Sequence, residues 1–125
     1  MNFNSNRRVL AGAIAVALAL IAAPASAQKK YGPGVTDTEI KLGQTMPYSG
    51  PASAYGTIGK LHTAYFKMLN EAGGINGRKI NLISLDDGYS PPKTVEQVRK
   101  LVEQDEVLAL FQTLGTPPNS AIHKY

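Results

Sequence analysis

Glu39 to Ala72 leaves few choices of fold. Glu39-Ile40-Lys41-Leu42-Gly43-Gln44-Thr45-Met46 alternates, with Ile40, Leu42 and Met46 two or four apart, as in a strand. Pro47-Tyr48-Ser49-Gly50-Pro51-Ala52-Ser53 is loop composition, and Ala54 to Ala72 then has helical periodicity. Ile58, Leu61, Tyr65, Met68, Leu69 and Ala72 make one apolar stripe, with Lys60, Thr63, Lys67 and Glu71 opposite, so the stripe is expected to face the core. Gly73-Gly74 stops the helix and Asn76-Gly77 turns the chain. A strand that runs through a Gly-rich loop into a helix gathers unpaired N–H groups at one point, which suits an anionic ligand.

The pattern then repeats. Lys79 to Leu85 reads as a second strand, closed by Asp86-Asp87-Gly88. Ser90-Pro91 reads as N-cap and first residue of a helix running to about Gln104, with Val95, Val98, Leu101 and Val102 inward. Glu106 to Phe111 is nearly continuous apolar sequence, as for a strand buried on both faces. Gln112 to Asn119 is a second Gly/Thr/Pro loop, and Ser120 opens a third helix. This order predicts an α/β fold, a parallel sheet with flanking helices. In the strand order 2-1-3, the first and third strands are neighbours whose crossovers leave to opposite faces, opening a crevice at their carboxyl ends. Both loops exceed the usual two to six residues or so of such connections, although their composition also fits plain connections.

Met1 to Ala27 has another character: Arg7-Arg8, an apolar run from Val9 to Ala23, and the small-residue site Ala25-Ser26-Ala27. These are the parts of a cleaved secretory signal, and the run falls short of the roughly 20 residues of a membrane span. Cleavage after Ala27 removes two of the thirteen basic residues and none of the nine acidic ones, so the formal charge falls from +4 to +2. The basicity is then partly targeting, and no Lys/Arg cluster interleaved with aromatics points to nucleic acid. The chain has no cysteine, which excludes disulfides, thiol catalysis, thiolate metal sites and a lipoprotein anchor. The expected destination is the periplasm.

Enzyme motifs fail on spacing. Ser49 lacks the flanking glycines of a nucleophile elbow, and Gly59-Lys60 is followed by Leu61 where a phosphate loop needs Ser or Thr. Gly50, Gly56 and Gly59 do not make a dinucleotide fingerprint, and His62 and His123 stand too far apart to read as a metal pair. No cofactor or metal is expected. The one enzyme alternative is a magnesium-dependent phosphatase using Asp86 and Asp87; such a pair at a strand end more often caps a turn.

Several runs resemble the leucine/isoleucine/valine-binding family of periplasmic solute-binding proteins. They are Ile40 to Gly43 with Pro47 to Pro51 and Tyr55-Gly56; Asn70 to Ile80, the most specific; Asp86-Asp87 with Ser90-Pro91-Pro92; and Leu114 to Ala121. The resemblance covers nearly all of residues 28–125. It implies part of the N-terminal lobe of a two-lobe type I periplasmic binding protein, which closes on a small solute and delivers it to an ABC permease. It also implies that Tyr55 covers the ligand side chain. Thr113, Leu114 and Gly115 would face the ligand, with Gly115 and Thr116 offering N–H and hydroxyl to its carboxylate. The Gly-Thr-Pro-Pro run departs from the Ser-rich second loop of many amino-acid binders, which extends the implied ligands to amides, aromatic acids and other small carboxylates. The alternative within the same fold is the ligand-binding sensor module of a periplasmic receptor.

Overall fold

In the computed structural model, which describes residues 30–125, the strands are β1 (Glu39–Met46), β2 (Lys79–Asp86) and β3 (Ala109–Leu110), in the order β2-β1-β3. All pairing between them is parallel. β1 and β2 run in register from Glu39 opposite Lys79 to Met46 opposite Asp86, and Leu42 and Gly43 face Ala109 and Leu110. The helices are α1 (Gly56–Glu71), entered through the 3-10 turn Ser53–Tyr55, then α2 (Pro91–Arg99) and α3 (Thr116–Ile122). The signal segment expected at residues 1–27 lies outside the described residues.

Successive strand residues point to opposite faces, so one strand shows how the layers divide. A Cβ on Gly43 would lie 3.1 Å from Leu101 Cδ1, whereas the Gln44 side chain meets His62 of α1. The two helical layers therefore cover opposite faces of β1. Beyond Arg99, α2 widens into a π-helical turn, Lys100–Gln104, that carries the fully buried Leu101; with Val98 and Val107 it makes the core of that side.

The helix stop is a Schellman motif: Gly74 N–H donates to Leu69 O and Gly73 N–H to Asn70 O, with both glycines at positive φ. Asn76 (φ 50°) and Gly77 (φ 79°) make the central pair of a type I′ turn closed by Ile75 and Arg78. Ser90 does stand at the N-cap of α2 with Pro91 following, but its side chain makes no cap bond. Asp87 instead fixes the turn before the helix, accepting from Tyr89 N–H and from the Thr94 hydroxyl.

Three expectations about burial are overturned; the first is Val102, which is exposed because the π-helical turn shifts the phase of the helix and turns Leu101 inward instead. The stripe Ile58, Leu61, Tyr65 and Met68 is exposed, and α1 instead buries Gly56, Gly59 and Phe66 against the sheet. Close approach decides the register. A Cβ at Gly59 would overlap the Tyr48 hydroxyl and lie 2.8 Å from Met46 Cγ, so only glycine lets the helix sit this near β1. Phe66 then stacks edge-on against Phe111, ring centres 5.3 Å apart. The run Glu106 to Phe111 is not buried on both faces either: Val107 is, but Leu108, Ala109 and Leu110 are exposed. Regular pairing lasts two residues, and Gln112 just beyond it adopts a left-handed φ of 46° that takes the chain out of the extended conformation.

Candidate functional site

The loops after β1, β2 and β3 meet at the carboxyl ends of the strands. Asp86, the last residue of β2, ties the first two together. Its Oδ1 accepts from the N–H groups of Tyr48 (2.9 Å), Ser49 (3.1 Å) and Gly88 (3.0 Å). Its Oδ2 accepts from the Ser49 hydroxyl at 2.6 Å and from Lys93 Nζ at 3.2 Å. Burial pushes the carboxyl upward, but the Ser49 hydroxyl, the N–H groups of Gly88 and Ser49, and Lys93 outweigh it and hold Asp86 well below the usual carboxylate range. The same loops touch at Gly50, where a Cβ would come within 3.1 Å of Gly88 O.

Tyr89 joins the second loop to the third. Gly115 has φ 103° and lies on the Tyr89 ring, where a Cβ would overlap Cε2 and lie 2.9 Å from Cζ. Glycine is thus required there twice, by conformation and by contact. Leu114 N–H donates to Thr45 O at 3.3 Å, which continues the β1 ladder to the loop itself.

Thr113, Leu114, Gly115 and Thr116 line one side of this end of the sheet, and a shallow depression of about 610 Å³, lined by Gly115, Thr116, Asn119, Ser120 and His123, opens beside them. The Thr113 hydroxyl donates to Asn119 Oδ1, and Asn119 Nδ2 donates to Thr113 O at 3.0 Å, so the Thr113 hydroxyl keeps only acceptor capacity. Thr116 is exposed. Tyr55, 58% exposed, ends the 3-10 turn of the first loop, and among the described residues its side chain has no hydrogen bond or ring contact.

Asp86 and Asp87 do not offer a metal pair. The former has five protein donors; the latter is fully buried with both oxygens bonded. Among the described residues no group of three or more His, Cys, Asp or Glu side chains could hold a metal ion. The locking of one loop by Asp86, the seating of Gly115 on Tyr89 and the burial of Gln44 escape sequence reasoning, since each joins residues far apart in the chain. Only Gln44, a polar residue inside a strand, carries a local signal.

Residues 39–125 match the model of the periplasmic binding protein family. The chain belongs to that family. The Leu/Ile/Val-binding protein homolog 1 of Brucella abortus is 38% identical over 88 residues, 68% of this chain and 24% of the relative. The fatty acid ABC transporter substrate-binding protein from Thermomonospora curvata is 36% identical, with a TM-score of 0.67 over 76% of this chain and 24% of that one. The branched-chain amino acid transporter substrate-binding protein from Streptococcus pneumoniae, solved with isoleucine, is 28% identical, with a TM-score of 0.63 over 67% and 24%. This periplasmic binding protein chain thus has the type I fold and spans about a quarter of the length of these relatives. They are binding proteins, not enzymes.

Proposed function

We propose that the chain is part of the N-terminal lobe of a substrate-binding component serving an ABC importer. The solute is small and carries a carboxylate or amide: an amino acid, an amide or a small aromatic acid. Residues 1–27 direct export to the periplasm and are removed there, and the partner is an inner-membrane permease. The observation that carries this reading is the state of the loops at the carboxyl ends of the strands. Asp86 and Tyr89 brace them, while the Tyr55 ring and the exposed Thr116 remain uncommitted. Tyr55 then covers the apolar part of the solute, Thr113 and Leu114 face it, and Gly115 and Thr116 donate to its polar end. A braced loop set of this kind binds with little ordering cost.

A thermal-shift and calorimetric screen of the protein against isoleucine, acetamide, benzoate and a medium-chain fatty acid tests the proposal. A saturable rise in melting temperature with one of the first three is expected. No response to any of them would overturn it, and a response to the fatty acid alone would move the solute class.

A further inference from the structure

Beneath α1 a chain of polar side chains crosses the sheet. The Tyr48 hydroxyl lies 2.6 Å from Ser84 Oγ, Ser84 Oγ lies 3.0 Å from Gln44 Oε1, and Gln44 Nε2 lies 2.8 Å from His62 Nδ1. Gln44 is fully buried, and its Nε2 also lies 3.2 Å from Phe111 O and 3.3 Å from Gln112 O.

Chemistry orients this network without reference to hydrogen positions. Two carbonyl oxygens can only accept, so the atom between them must be the amide nitrogen of Gln44. That nitrogen is only a donor, so His62 Nδ1 must accept, and the ring is neutral with its proton on Nε2. Gln44 Oε1 in turn accepts from Ser84, which leaves the Ser84 oxygen to accept from Tyr48. A proton on Nδ1 would face the amide N–H of Gln44. Rotating the amide would relieve that clash but set Oε1 against two carbonyl oxygens. Neither orientation satisfies a charged ring.

The two carbonyls belong to the residues that lead into Thr113, Leu114 and Gly115, and Gln112 is held there at a left-handed φ of 46°. We infer that Gln44 is the positioning residue for this loop and that the protonation state of His62 decides whether Gln44 can hold it. The ring is half-buried; Gln44 from β1 bonds to it, and Phe111 beside β3 meets it edge-on at 5.2 Å. Among the described residues no charged side chain forms an ion pair with it. Lys60 and Tyr65 of α1 are exposed, and Tyr48 is the other titratable member of the network. That the loop holds solute rests on the function proposed above; that Gln44 and His62 control its geometry does not.

The experiment is amide hydrogen exchange by NMR on the protein without added solute, from about pH 8 to pH 5, alongside the side-chain nitrogen shifts of His62. The neutral ring should show the Nε2–H tautomer. Leu114 exchange, corrected for its intrinsic pH dependence, should accelerate about 2- to 10-fold in step with ring protonation, as for loss of one hydrogen bond. The Val107 amide, bonded to Leu101 O on the other side of the sheet, is the control and should hold steady. His62→Phe should abolish the pH step, and Gln44→Met should speed Leu114 exchange at every pH. An Nδ1–H tautomer, a ring that stays neutral across the range, or Leu114 exchange that ignores ring protonation would overturn the inference. So would a pH step that survives in either variant. A pH step in a protein that answers to no solute would leave this inference standing and sink the proposed function.

Discussion

Replacing Asp86 by Asn keeps the shape of the side chain and removes its charge. Oδ1 would still accept from the three N–H groups of Tyr48, Ser49 and Gly88, but as a neutral acceptor. Hydrogen bonds to charged groups contribute about 1.5–3 kcal/mol and neutral ones about 0.5–1.5, so each of the three bonds weakens by about 1 kcal/mol. At the other position an amide nitrogen would replace Oδ2. The Ser49 hydroxyl can turn to accept from it; the Lys93 ammonium cannot. Both Lys93 and Asp86 are partly exposed, so that ion pair adds less than about 1 kcal/mol. Asp86→Asn should therefore destabilise the protein by about 2–4 kcal/mol at neutral pH. The folded-state pKa is depressed, so the contribution is complete above the unfolded value near 3.8 and is lost as the pH falls further towards the folded value. Urea unfolding of both proteins at pH 7 and at pH 3 measures this. The gap should be largest at pH 7 and narrow at pH 3, where the wild-type carboxyl begins to lose its advantage and Asn does not titrate. A gap that is absent at neutral pH, or equal at both, would refute the account of Asp86 as an ionised brace.

Tyr55→Ala should weaken solute binding by about 1–3 kcal/mol in calorimetry and leave the melting temperature nearly unchanged; a lowered melting temperature with unaltered affinity would make Tyr55 a packing residue. Gly115→Ala should cost about 1–3 kcal/mol of stability, because the positive φ is hostile to a side chain and the Tyr89 ring fills the space. Unfolding curves that superimpose on the wild type would show that the loop relaxes freely. Exported protein should have an intact mass that corresponds to a chain starting at Gln28, and recovery of an uncleaved chain from the membrane would contradict the assignment of residues 1–27.

The features legible in the sequence are those written in neighbouring residues. Gly73-Gly74 and Asn76-Gly77 carry their positive φ in their composition, and the alternation of strand and helix patterns leads to the parallel order β2-β1-β3. What was not legible depends on distance in space. The aliphatic stripe of α1 outweighs Gly59 and Phe66 in any periodic count, yet a missing side chain at Gly59 lets the helix approach β1, and that contact sets the rotation of the whole helix. The Val107-to-Phe111 run has the composition of an interior strand, but exposure depends on which neighbours a strand has, and composition does not encode that. Of the candidate site, Tyr55 and Thr113 to Thr116 come from resemblance. The braces at Asp86 and Tyr89 needed coordinates.

Asn70 has a consequence for how the sheet can associate. Its amide donates to Ile80 O and accepts from Ile80 N–H, both at 2.8 Å, doing for β2 what a neighbouring strand would do. At that residue the outer edge of β2 is already paired by a side chain. Among the described residues no side chain does the same for β3. One margin of the sheet is therefore partly sealed against recruitment of another backbone. Asn70→Ala would return the N–H and carbonyl of Ile80 to any backbone that comes alongside, which is the association hazard of an unpaired strand edge.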